Sequence, residues 1–153
     1  MATTPKLMAV QGAAVLVAAA FLIVGVLGFI PGVTTDYGQL QWAGHHSGAK
    51  LFGIFAVSGL HNVVHLAFGV TGLAMARTYA NARAFFLIGG FAYLALWVFG
   101  LLIDHGSPAN VVPVNNADNW LHFGLGVGML LLAATLAGQH DPTKRRAKAR
   151  PRR

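Results

Sequence analysis

LMAVQGAAVLVAAAFLIVGVLGFI, residues 7–30, decides the architecture. Its 24 residues hold one strongly polar side chain, Gln11, and no charge. A helix needs about 20 apolar residues, with a range of about 17–25, to cross the hydrocarbon core of a bilayer. In lipid the backbone must satisfy its own polar groups, which a helix does. The stretch therefore predicts a membrane-spanning helix. Its apolar run is longer than the roughly 7–15 residues of a signal-peptide core. Its exit, Gly28-Phe29-Ile30-Pro31-Gly32, has no small-x-small cleavage pattern, so a retained helix is expected.

Three further stretches repeat the signal: residues 51–76, 84–103 and 118–137, the last apolar from Trp120 onward. The second is interrupted by Ser58, His61, Asn62, His65 and Thr71. The alternating pattern of a membrane β-barrel is missing. Outside the spans lie a short N-terminus, residues 1–6, and a basic tail, residues 138–153. The expected fold is an all-α, integral membrane four-helix bundle.

Composition agrees. Of 153 residues, 56% are apolar and 10% are charged, against about 25% charged in a soluble domain. Cysteine is absent, which excludes disulfides, thiolate metal sites and a cysteine nucleophile. Glutamate is absent too, leaving Asp36, Asp104, Asp118 and Asp141 as the carboxylate side chains. No phosphate-binding loop, serine nucleophile elbow or paired carboxylates suggest an enzyme.

The basic residues orient the bundle. Seven of the eleven lie between Lys144 and Arg153, and Arg77 and Arg83 flank the second loop. The positive-inside rule places that loop and both termini in the cytoplasm. Beside a membrane, the basic tail reads as a topology signal with affinity for anionic lipid, not as a nucleic-acid site. The two longer loops face outward. Asn115 or Asn116 is the expected N-cap of the fourth helix, with Asp118 in its first turn.

Ionisable side chains inside a membrane are functional candidates. His61 and His65 stand four apart and share a helix face, which continues through Ser58, Gly69, Gly72 and Ala76. They fall near the middle of a span placed at 51–76. Asp118 and His122 are again four apart, so the carboxylate can orient the imidazole as carboxylates do behind metal-binding histidines. Three readings stay open for this cluster: a structural polar network that includes Ser58, Asn62 and Asn119; a metal or haem site on His61, His65 and His122, with Asp118 as a further metal ligand; and a proton or quinone path. The i,i+4 histidines can chelate one ion, but they lie on one face and cannot clamp a haem between them. Glycines supply helix contacts: Gly69 and Gly72 in the second span, and the G-x-x-x-G of Gly124 and Gly128 in the fourth.

The segments GLHNVVHLAFGVTGLAMART, residues 59–78, and NNADNWLHFGLGVGMLLLA, residues 115–133, resemble the small bacterial membrane proteins grouped as domain of unknown function 4383. The matching positions are His61, Asn62, His65, Gly69, Gly72, Arg77, Asp118, Asn119, Trp120, Leu121 and His122. The resemblance runs from Val10 to Ala137 and leaves out the tail. It implies four helices in a bacterial cytoplasmic membrane and no particular activity. Two functions follow as expectations. The first is a non-enzymatic accessory or structural subunit without a cofactor, working in the bilayer with other subunits or as a homo-oligomer. The alternative is a haem-, metal- or quinone-binding redox protein built on the His/Asp cluster.

Overall fold

A computed structural model describes residues 8–136. The expectations for residues 1–6 and for the basic tail lie outside these described residues. Among them are four α-helices: α1 (Ala9–Leu27), α2 (Gly59–Met75), α3 (Tyr79–Leu102) and α4 (Asn116–Thr135). Between α1 and α2 stand three two-residue strands, β1 (Thr34–Thr35), β2 (Lys50–Leu51) and β3 (Phe55–Ala56), paired antiparallel in the order β1-β2-β3. Two of the helices, α1 and α3, are long and apolar enough to cross a membrane.

The helix starts are written in side chains. Ser58 Oγ accepts from the His61 N–H at 3.1 Å and opens α2. Thr78 Oγ1 accepts from the Asn81 N–H at 3.2 Å and opens α3. Asn115 caps α4 reciprocally with Asp118: Asn115 Oδ1 accepts from the Asp118 N–H at 3.0 Å, and Asp118 Oδ2 accepts from the Asn115 N–H at 2.9 Å. Each such cap satisfies a backbone donor that the first turn leaves free.

The second helix begins at Gly59, not at Leu51. Residues 51–58 read as a continuation of the apolar span, yet they form a hairpin and its exit. Phe52 and Gly53 turn the chain between β2 and β3 with φ of 54° and 73°, a left-handed conformation that glycine takes freely and phenylalanine does not. Leu51 and Val57 join Ala49 in a small second core packed by Val24, Leu27 and Phe55, while Phe52 and Ile54 stay exposed. Composition cannot separate a short buried strand from a helical turn. The consequence is positional. His61 and His65 stand in the first two turns of α2, not at mid-span.

The main core joins α1, α3 and α4 through Val10, Ala14, Phe21, Phe85, Phe86, Tyr93, Met129 and Ala133. Within the bundle, α1 packs most extensively on α2, and α3 on α4. Glycine permits both approaches. A Cβ on Gly69 would lie 2.8 Å from the Ala18 carbonyl oxygen, and one on Gly126 would lie 3.0 Å from the Leu94 nitrogen. Gly72 likewise faces Ala18 and Phe85. Gly124 and Gly128 turn away from α3, with nothing within 4 Å of either Cβ direction. Gly126 takes the contact because it lies on the opposite side of α4 from them, two residues from each. Gln11, the polar residue of the first span, donates to the Ala76 and Arg77 carbonyls at 3.0 Å and ties the start of α1 to the end of α2.

Candidate functional site

The helix caps bring the histidines together. With α2 started at Gly59, His61 and His65 lie one above the other, ring centroids 4.6 Å apart and tilted by 33°. From α4, His122 meets the Tyr93 ring of α3 at 5.4 Å. Phe21 of α1 closes the circuit, stacked on His65 at 5.8 Å and on Tyr93 at 5.7 Å. The result is a belt of five rings to which every helix contributes. Nothing in the sequence marks Phe21, one aromatic residue in an apolar run. Tyr93 reads from spacing as a packing partner of Trp97.

Two cavities flank this belt, each about 320 Å³. Both are lined by His61, His65 and His122. The first lies between α1 and α4, with Val17, Ala20 and Phe21 on one side and Leu121 and Leu125 on the other. The hairpin residues Leu51, Phe52 and Phe55 and the carboxylate of Asp118 complete its wall. The second lies between α2 and α3, bounded by Val64, Tyr93, Leu96 and Phe99 and by Val111, Val112 and Val114 of the α3–α4 loop. Apart from the imidazoles, the Tyr93 phenol and the one carboxylate, the side chains of both walls are apolar.

His61 and His122 are 5% exposed, and His65 is partly buried. The Nδ1 atoms of all three are buried without a hydrogen-bond partner among the described residues. The backbone of Ala56 and of Pro113 reaches the His61 ring. A neutral imidazole offers one donor and one acceptor, so the belt presents hydrogen-bonding capacity to two apolar spaces.

Asp118 does not orient His122. Its Oδ2 accepts from the Ala56 N–H at 3.0 Å and from the Asn115 N–H, which commits it to the cap and to β3. Among the described residues, no group of three or more histidine or aspartate side chains converges as metal ligands would. The 4.6 Å between the His61 and His65 rings leaves no room for a porphyrin between them. The remaining polar residues separate by task. Ser58 caps α2. Asn119 Nδ2 donates to the Gly100 carbonyl at 2.8 Å and joins α4 to α3. Asn62, fully buried, sets its amide into the space left by Gly28, and neither amide atom has a partner among the described residues.

The family described as Domain of unknown function (DUF4383) matches residues 11–135. No curated protein and no solved structure matches the chain.

Proposed function

The chain belongs to the DUF4383 family, and on that premise we propose that it is a multi-pass protein of a bacterial cytoplasmic membrane that binds a lipid-soluble quinone through His61, His65 and His122. The membrane reading rests on the outward faces. Leu16, Val70, Ile88 and Leu131, one on each helix, are 58–74% exposed. Large apolar side chains on every face of a bundle suit lipid as the solvent.

One observation carries the binding reading: His61, His65 and His122 line both of two apolar cavities, and the Nδ1 of each is buried with no partner among the described residues. An unmet buried polar group costs about 1–3 kcal/mol, so a ligand that completes the hydrogen bonds gains by binding. Its body has to be apolar to match the walls, and its polar atoms few. A ring carbonyl compound with a hydrocarbon tail has that chemistry. Its oxygens accept from an imidazole N–H when oxidised and donate to an imidazole nitrogen when reduced. The cavity size falls at the lower end of the range of about 300–1,000 Å³ for small-molecule pockets.

The test is decylubiquinone binding to the protein in lipid nanodiscs, measured by equilibrium dialysis. His65→Leu and His122→Leu are each expected to weaken binding by about tenfold or more, the equivalent of roughly 1.4 kcal/mol. Unchanged affinity in both variants, or no binding by the wild type, would overturn the reading. An absorption spectrum and elemental analysis of the same preparation, made without a histidine tag, address the other cofactors. A Soret band or stoichiometric metal lost in His65→Leu would replace the quinone by haem or an ion.

A second reading, as an accessory subunit or a homo-oligomer, is favoured by the outward position of Gly124 and Gly128. A G-x-x-x-G on a lipid-facing surface lets another helix approach closely. Gly128→Leu would then weaken association in membranes, read by chemical cross-linking, without lowering the thermal midpoint of the fold.

A further inference from the structure

The two cavities differ in place but share one wall. The first opens between α1 and α4, and the second between α2 and α3. These neighbours meet far less extensively than the partners within each tight pair, α1 with α2 and α3 with α4. Each cavity is therefore a lateral groove at a seam. Ala20 is an exposed residue at the mouth of the first, and Val64, 47% exposed, stands at the mouth of the second. The two grooves lie at different seams and share the imidazole wall.

Resting on the quinone reading above, we infer that each chain seats two such ligands at once, one in each groove, back to back on the imidazole wall. Three features support double occupancy. Both grooves have the same volume, about 320 Å³. Each reaches all three imidazoles, and these carry between them three Nδ1 atoms without a partner among the described residues, so one wall has nitrogens enough to serve a ligand on either side. The mouths open at different seams, so two hydrocarbon tails leave toward the lipid without crossing. The seats are also unlike each other. Asp118 lines only the α1–α4 groove of the two, and Tyr93 only the α2–α3 groove. Ligands of one class in two oxidation states would therefore meet different surroundings on either side of the same histidines.

The experiment counts decylubiquinone bound per chain at saturation in nanodiscs, after subtraction of protein-free discs. The wild type is expected to bind two. Ala20→Trp fills the first groove from an exposed position and leaves one; Val64→Trp fills the second and leaves one; the double variant leaves none. Ala20→Phe and Val64→Phe repeat the measurement if either tryptophan variant has a lowered thermal midpoint. A wild-type value of one overturns double occupancy while the quinone reading stands. A value of two that survives both substitutions places the ligands elsewhere and also overturns it. A wild-type value of none ends both.

Discussion

Asp118 ties β3 to the head of α4 with one carboxylate. Its Oδ2 accepts from Ala56 of β3 and from Asn115 at the head of α4, and its own N–H donates to Asn115. Removing the carboxylate strands two backbone donors, at a cost of about 1–3 kcal/mol where they are buried. Asp118→Ala is expected to lower the thermal midpoint in detergent, followed by circular dichroism, while Asp118→Asn keeps an oxygen in place and loses less. Equal midpoints for the wild type and the alanine variant would show the anchor to be idle. The same residue marks how far spacing can be read. Asp118 and His122 do stand one turn apart on one helix, but the carboxylate has nearer partners, because the start of a helix leaves N–H groups that need acceptors. The spacing of His61 and His65 translates directly into adjacent rings, since both lie within one regular helix. Phe21 was illegible: its role depends on which helix crosses its own, and no local pattern encodes that.

Among the elements, the close approach of α1 and α2 at Gly69 makes the sharper test of packing. Gly69→Ala puts a methyl 2.8 Å from the Ala18 carbonyl oxygen and 2.7 Å from Leu22. Overpacking of this kind costs about 1–3 kcal/mol. The variant is expected to melt earlier in detergent, whereas Gly128→Ala, with nothing within 4 Å, is expected to stay within about 0.5 kcal/mol of the wild type. A Gly69→Ala protein as stable as the wild type would mean that α1 and α2 separate at no cost. The two motifs look alike as strings of small residues, and only the rotation of each helix tells them apart. The hairpin at residues 51–58 was hidden for a related reason. Its residues are as apolar as a span, and the turn is made at Phe52, a residue with no turn preference of its own, beside Gly53.

On the scale of the chain, four apolar segments in series are plain from hydropathy, and four α-helices form among the described residues. Which helix lies beside which was not plain, because contacts between helices depend on complementary surfaces rather than on any local period. The proposed orientation across a bilayer rests on the basic residues alone. The chain has no cysteine, so single cysteines report topology cleanly. Ala109→Cys, in the α3–α4 loop, is expected to react with a membrane-impermeant maleimide on intact spheroplasts. Ala147→Cys, in the basic tail, is expected to react only after the membrane is opened. The reverse pattern would invert the proposed orientation.

The pairing of α1 with α2 and of α3 with α4 also bears on how the protein is made. Each pair is contiguous in sequence, so each can close as a helical hairpin soon after it leaves the ribosome, by short-range contacts that form quickly. The imidazole wall draws His61 and His65 from one hairpin and His122 from the other, so it exists only once the two have docked. Completion of the imidazole wall is then a separate event from the closure of either hairpin. Two fragments divided near Arg77, coexpressed in one cell, would carry everything needed to rebuild it.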